Sequence, residues 1–414
     1  MESYEELRKH YKKYQEEGLN LNMTRGVPCQ EQLNLSMHMM DVLNSNANLI
    51  SEEGIDCRNY GTLTGLAEAK RLLGDMMEVP AESIIIYGNS SLNVMYDQIS
   101  RSYAHGVCGS TPWCKLDKVK WLCVVPGYDR HFNITQSFGF ENICVPMLED
   151  GPDMDMVEKL VSEDASIKGI WCVPKYSNPT GNSYSDEVIQ RFARLKPAAE
   201  DFRIYWDNAY TIHHLYEDQQ VHILEILGEC RRVGNPDIVY KFVSTSKVSF
   251  PGSGIAALSA SPKNLEDIKA HLTFQTIGSD KVNQLRHVRF FGDIEGMKKH
   301  MMKHAEILRP KFEAVERIME EELSGIPEVS WTKPLGGYFI SFHAPKGCAK
   351  RIVKLCAVAG VKLTPAGSTY PGKNDPDDSN IRIAPSLPPL YDVEKATRIL
   401  CLATKLAIAE KESK

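Results

Sequence analysis

Short apolar runs, each closed by a polar or glycine-bearing loop, alternate with stretches of helical period through the middle of the chain. Ser83 to Tyr87 leads straight into Gly88-Asn89-Ser90-Ser91 and a helical stretch to about Tyr103. Further runs fall at Trp121 to Val125, Gly169 to Val173, Arg203 to Trp206 and Ile238 to Val243. Their brevity, their β-branched and aromatic content and their bounding turn-formers predict strands. Strands alternating with helices predict an α/β fold with a largely parallel sheet, whose working residues stand at the strands' carboxyl ends.

The two ends of the chain read differently. Glu2 to Gly18 is charged and helix-favouring, with Gly18 as its stop, and Arg25-Gly26-Val27-Pro28 is rich in turn-formers. After about Gly278 the pattern changes: Met297 to Leu323 predicts a long, charged amphipathic helix ended by Gly325 and Pro327. Gly337 to His343 and Asn380 to Ala384 predict strands of a smaller α/β unit, with Asn374 to Asp378 as a polar loop. These changes set expected boundaries near residues 50 and 290. No internal repeat or low-complexity tract is present.

Composition narrows the function classes. With 43% hydrophobic and 25% charged residues over 414 positions, the chain has the balance of an ordinary soluble protein of two or three domains. A net charge of -6 argues against a nucleic-acid partner. No apolar run approaches the roughly 20 residues needed to span a bilayer, so no membrane partner is expected. The acidic start Met1-Glu2-Ser3-Tyr4-Glu5-Glu6 lacks a signal-peptide profile. Eleven scattered cysteines without a C-x-x-C pair read as reduced thiols, so the expected location is cytoplasmic.

Candidate chemistry gathers at the predicted strand ends. Asn178-Pro179-Thr180-Gly181 follows one strand and by itself also reads as a turn. Asp207 and Tyr210 follow the next, where an aspartate is equally a helix cap. Ser244-Thr245-Ser246-Lys247 follows a third. There the lysine is flanked by small hydroxyl residues and then by Phe250-Pro251-Gly252-Ser253-Gly254, which permit close backbone approach to a ligand. Gly88-Asn89-Ser90-Ser91, between a strand and a helix, offers backbone N–H groups and hydroxyls to an anion, or is a plain N-cap. Arg382, in an apolar strand ahead of Pro385, calls for an anionic partner, either a structural acid or a substrate carboxylate.

Taken together, an anion loop, Asn-Pro-x-Gly, Asp-x-x-Tyr, Ser-x-Ser-Lys and a late arginine resemble, in this order, the fold-type I pyridoxal-phosphate-dependent aminotransferases. The resemblance covers nearly the whole chain. It is closer to the aspartate aminotransferase-like subgroup Ic, related to the aminotransferase domain of MocR regulators. That closer match rests on Thr24-Arg25-Gly26-Val27-Pro28, on Asn59-Tyr60-Gly61 with Thr64-Gly65-Leu66, on Gly88 to Asp97, and on Asp280 to His287.

The resemblance implies a large cofactor-binding domain at 51–290 and a small C-terminal domain at 291–414, with 1–50 as an arm and part of the small domain. It implies pyridoxal 5'-phosphate held on Lys247 as a Schiff base, with Lys247 moving the substrate Cα proton. Asp207 would face the ring nitrogen, Tyr210 and Asn178 the ring oxygen, and Tyr128 the ring's face. Asn89, Ser90, Ser244 and Ser246 would hold the phosphate, joined by Tyr60 of a neighbouring copy, so a homodimer with its site at the subunit interface is expected. Arg382 would grip the substrate α-carboxylate, helped by the Gly26 backbone and Asn178.

The implied substrates are an amino acid, aspartate or a related dicarboxylic one, and a 2-oxo acid such as 2-oxoglutarate. Arg25 and Arg58 are candidates for the second carboxylate. One departure stands out: many members carry an arginine about eight residues after the lysine to neutralise the phosphate, and here that position is Ile255.

Rivals are weaker. Gly88-Asn89-Ser90 lacks the second glycine of a nucleophile elbow, because Leu92 stands there, and no G-x-G-x-x-G opens a βαβ unit. His300 and His304 have a metal-compatible spacing, but no glutamate follows His300, and on a charged surface helix such pairs arise by chance, so no metal is expected. A lyase acting by β-elimination or decarboxylation on the same cofactor stays open, as does a cofactor-binding regulatory module. Residues 1–50 are too few for the DNA-binding domain that such regulators carry.

Overall fold

Along the central strands, successive side chains enter different cores. In Lys120–Val125, Leu122 and Val124 join one apolar cluster, while Trp121, Cys123 and Val125 join another. In Arg203–Asp207, Ile204 and Trp206 face the first cluster and Tyr205 the second. Strands buried on both faces require a sheet covered on both sides, as βαβ crossovers provide.

The computed structural model describes residues 3–413. Met1 and Glu2, which open the acidic start and the predicted first helix, lie outside the described residues. The main sheet runs in the order Ile84–Ile86, Ala256–Ser259, Val239–Ser244, Arg203–Asp207, Ile167–Cys172, Lys120–Val125, Glu141–Pro146. Ala256–Ser259 is antiparallel to both neighbours, and every other pair is parallel. The chain is thus an α/β protein built on a mostly parallel sheet, as expected.

Ala256–Ser259 and Glu141–Pro146 were not among the predicted strands. The first is four small residues long, too short for a periodic signal. The second is an edge strand whose Asn142, Ile143 and Cys144 are only partly covered or exposed, and its apolar residues run on through Pro146 without a bounding turn-former.

A smaller antiparallel sheet orders Asn380–Ile383, Ile340–His343 and Ser330–Trp331. The beginning of the chain packs against this C-terminal part. The helix Tyr4–Glu16, opened by a reciprocal Ser3–Glu6 cap, buries Leu7 and Tyr11 there. Leu21–Asn22 then pairs in parallel with Val361–Lys362. The predicted long helix spans Ile294–Leu323 with Pro310 inside it. Its Met297 and Met301 belong to the sheet's core, and its Leu308, Phe312 and Val315 to the C-terminal core.

His300 and His304 share the buried face of that helix, at 7% and 1% exposure, rather than the charged surface expected for them. They fall in register with Met297, Met301 and Leu308 at helical spacing, so packing turns them inward. Among the described residues, no helix is long and apolar enough to cross a membrane.

Candidate active site

Parallel strands share a carboxyl edge, and the loops leaving it bring distant residues together. Asp207 and Ser244 are the last residues of their strands. Tyr128 and Asn178 lie in the loops just beyond Lys120–Val125 and Ile167–Cys172. Two cavities meet at this edge. The inner one, about 190 Å³, is lined by Ser90, Asp207, Ser244 and Ser246. The outer one, about 460 Å³, is lined by Arg25, Gly26, Arg130, Phe339 and Arg382. Tyr128, Asn178, Tyr210 and Lys247 border both.

Lys247 stands at the junction, its Nζ 5.0 Å from the centroid of the Tyr210 ring. Burial lowers its pKa below the ordinary lysine value; Asp207 opposes the shift and Arg382 adds to it. More of the amine is then uncharged, as a nucleophile or proton acceptor requires. Burial holds the Tyr210 phenol well above its usual range, so it stays a hydrogen-bond donor.

Asp207 is buried, and its two oxygens differ. Oδ2 meets His131 Nε2 at 3.0 Å, while Oδ1 is buried without a partner. A desolvated carboxylate oxygen left unpaired is unfavourable, so the inner cavity is built for a further donor beside it. His131 stacks on Trp171, with centroids 4.7 Å apart, which fixes the ring that holds Oδ2.

At the other end of the inner cavity, Ser90 caps the helix Ser91–His105 by accepting from Asn93 N–H. Ser244 Oγ lies 3.2 Å from Ser246 Oγ, which donates to the Asn89 carbonyl at 3.1 Å. Hydroxyls and a helix N-terminus thus converge, the chemistry of an anion cradle. The Ile255 side chain is buried in the sheet's core, and its N–H donates to Thr245 Oγ1 at 2.9 Å. The backbone facing the cradle is Gly254, where a Cβ would lie 2.8 Å from the Asn89 carbonyl oxygen and 3.1 Å from Ser246 N. No side chain fits at that point.

Arg382, in Asn380–Ile383, borders the outer cavity with its Cζ 5.0 Å from the Phe339 centroid. Its contacts are long: Nη1 to Asn178 Oδ1 at 3.3 Å and to Asp129 Oδ1 at 3.4 Å, and Nη2 to Thr364 Oγ1 at 3.4 Å. Its Nε is buried without a partner. The structural acid is therefore present but loosely engaged, and the guanidinium keeps capacity for another anion. Gly26 packs on the Phe339 ring so closely that a Cβ would stand 2.4 Å from Cζ.

The fold brings together Lys247, Asp207, Tyr210, Tyr128, Asn178, Ser90, Ser244, Ser246, Arg382, Gly26 and Arg25 around the two cavities, and Asn89 adjoins them through its carbonyl, which accepts from Ser246 Oγ. Tyr60 borders neither cavity and is 81% exposed. Arg58 also stays outside, paired with Asp56 at 2.7 Å. Among the lining or supporting groups that the sequence did not single out are His131, which holds Asp207, and Arg130 in the outer cavity. The one available signal was position, since both begin the helix Asp129–Ser137 that follows Tyr128.

Comparison with known proteins gives the same picture. A family model described as aspartate amino-transferase matches residues 1–414. A protein of Mycolicibacterium smegmatis named as an aminotransferase is 46% identical over 404 residues, covering 97% of this chain and 94% of its own. The aspartate aminotransferase of Corynebacterium glutamicum is 43% identical over 408 residues, 98% of this chain and 94% of that protein. A crystal structure of an aspartate transaminase from C. glutamicum superposes with a TM-score of 0.96 at 42% identity, covering 99% of this chain and 96% of that one.

Proposed function

The chain belongs to the aspartate amino-transferase family and is a pyridoxal-phosphate-dependent aminotransferase; from its site we propose that it moves the α-amino group of aspartate, or a related dicarboxylic amino acid, to a 2-oxo acid such as 2-oxoglutarate. The residues present fit the cofactor. Asp207 Oδ1 is buried and lacks a donor, burial lowers the Lys247 pKa, and a hydroxyl-lined helix start closes the far end of the inner cavity. When bound, pyridoxal 5'-phosphate supplies an electron-withdrawing ring that delocalises the electron pair left on a deprotonated Cα and carries the amino group between substrates.

On this reading, Lys247 Nζ would hold the cofactor and would move the proton at the substrate Cα. Asp207 Oδ1 would accept from the ring nitrogen while His131 keeps the other oxygen in place. Tyr210 and Asn178 would donate to the ring oxygen, with Tyr128 against the ring. Asn89, Ser90, Ser244 and Ser246 would hold the phosphate. Arg382 pairs with the substrate α-carboxylate, with Gly26 and Asn178 beside it.

Two further guanidiniums, Arg25 and Arg130, border the outer cavity without a salt bridge among the described residues. Unpaired cations in the same cavity as Arg382 suit a second carboxylate, which supports a dicarboxylic substrate.

Exposed Tyr60 and Ile277 flank the contact between Gly61 and Gly278, and Phe274 nearby is 88% exposed. Such a patch supports a homodimer in which Tyr60 reaches the partner's phosphate. Eleven unpaired cysteines support a reducing, cytoplasmic setting.

The observation that carries the reading is the unsatisfied Asp207 oxygen in the cavity that Lys247 closes. Purified protein should show a visible absorption band that Lys247→Ala abolishes and that aspartate bleaches in a single half-reaction. A band that survives Lys247→Ala would refute the assignment.

A further inference from the structure

His300 and His304 take no part in the site just described, yet they lie directly beneath it. Their Nε2 atoms are 3.0 Å apart and both rings are buried. Burial lowers both pKa values, that of His304 to about 3, so both rings are neutral near pH 7. Among the described residues no group of three metal-ligating side chains forms around them.

One side of the pair leads to the outer cavity. Cys29 N–H donates to Gln32 Oε1 at 3.1 Å, which fixes the amide's orientation. Gln32 Nε2 must then donate to the Tyr338 hydroxyl and to His304 Nδ1, each at 3.0 Å. Cys29 directly follows the arm Arg25-Gly26-Val27-Pro28, whose first three residues line that cavity. The other side leads to the lysine. His300 Nε2 lies 2.9 Å from the carbonyl of Val248, the residue after Lys247.

The protons in this chain do not suffice for all its bonds. Because His304 Nδ1 accepts from Gln32, the single proton of the neutral ring sits on Nε2 and points at His300 Nε2. If His300 Nε2 accepts that proton, it has none to give to the Val248 carbonyl. If it donates to Val248, it cannot accept from His304. Ser36 Oγ, 3.3 Å from His300 Nε2, serves either case, because a hydroxyl both donates and accepts. Two arrangements result, one closing the chain toward the arm and one closing it toward the lysine-bearing turn.

We propose that His300 and His304 are a two-position hydrogen-bond switch, through which seating of a substrate on the Arg25–Val27 arm resets the turn that carries Lys247. The proposal rests on the roles given above to Lys247 and the outer cavity. Both histidines are positioning residues: neither touches substrate or cofactor, and they act through the Val248 carbonyl. A packed core with two discrete hydrogen-bond states transmits a small shift at one end as a defined shift at the other.

The test uses the holoenzyme and succinate, a dicarboxylate with no amino group. Visible circular dichroism of the lysine-bound cofactor reads the geometry at Lys247. In the parent protein succinate should change that signal. In His304→Leu and Gln32→Leu the change should fall at least about threefold, with kcat down about tenfold and KM within about twofold. His304→Gln, which retains a donor and an acceptor, should recover most of the response.

Should the leucine variants fail to fold, His300→Gln serves instead. Its amide donates and accepts through separate atoms, so both bonds can close at once and the choice between the two arrangements is lost, which should likewise remove the succinate response. A full response in folded His304→Leu or in His300→Gln overturns the proposal. Absence of the visible band from the parent protein would instead overturn the proposed function.

Discussion

The outer cavity should respond very differently to the loss of Arg382 and of Arg130, because the two are buried to different degrees. Arg382 has 8% of its side chain exposed, while Arg130 is exposed. A carboxylate about 4 Å from a guanidinium is stabilised by about 4 kcal/mol at the effective dielectric of a partly buried site, and by about 1 kcal/mol in water. Arg382→Gln should therefore lower kcat/KM by about a thousandfold, and Arg130→Gln by about fivefold.

The pattern across substrates is the sharper check. Every amino acid has an α-carboxylate, so Arg382→Gln should reduce aspartate and alanine alike. Only a dicarboxylate needs Arg130, so Arg130→Gln should reduce aspartate and leave alanine unchanged. Steady-state kcat/KM for both donors, measured on both variants, decides it. If Arg130→Gln affects aspartate and alanine equally, the second-carboxylate role is wrong. If Arg382→Gln spares alanine, the two roles have been exchanged. Arg382 also carries a buried, unpartnered Nε and only long contacts, so its replacement should leave the melting temperature unchanged or raise it. A large drop in stability would show that its bond to Asp129 matters more than 3.4 Å implies.

Three further outcomes are expected. Gly26→Ala drives a methyl into the Phe339 ring at 2.4 Å, so KM for the amino donor should rise about tenfold and Phe339→Leu in the same chain should restore it; an unchanged KM would show that the arm is free to move away. Burial lowers the Lys175 pKa to about 8, with its Nζ donating to the Thr211 carbonyl at 2.7 Å. A lysine whose folded pKa lies below its unfolded value of 10.5 destabilises the fold fully below pH 8 and ceases to do so as the pH nears 10.5. Lys175→Met should therefore stabilise the protein at pH 7 by about 2 kcal/mol once the lost hydrogen bond is subtracted, with the gain gone near pH 10.5; urea unfolding at both pH values reads this, and a gain independent of pH refutes it. His131→Leu leaves Asp207 buried with no partner, so urea unfolding of the cofactor-free chain should show a loss of about 3 kcal/mol, and an unchanged midpoint would deny the pair any importance.

Much of the site was legible in the sequence because its groups occupy fixed places after strands that announce themselves. Lys247, Asp207 and Asn178 each follow a buried apolar run, and strand ends on one edge must converge. What stayed hidden depends on packing between distant segments. Nothing near His131 indicates that Asp207, 76 residues later, would need it. The lysines around His300 and His304 suggested a solvated face, although Met297, Met301 and Leu308 at helical spacing placed both histidines on the buried one. Ile255 marked the absent arginine, but the close approach of Gly254 to Asn89 and Ser246, which leaves no room for a side chain there, is visible only in the structure.

The pairing of Leu21–Asn22 with Val361–Lys362 governs when the protein becomes active during its own synthesis. The Thr24 carbonyl accepts from Thr364 across 340 residues of chain, so the arm bearing Arg25 and Gly26 has no place to dock until the C-terminal part has emerged from the ribosome. The residues lining the inner cavity, by contrast, run from Ser90 to Pro251 and are synthesised far sooner. A growing chain can therefore shape its cofactor chamber early, while the grip on an amino acid waits for the last tenth of translation.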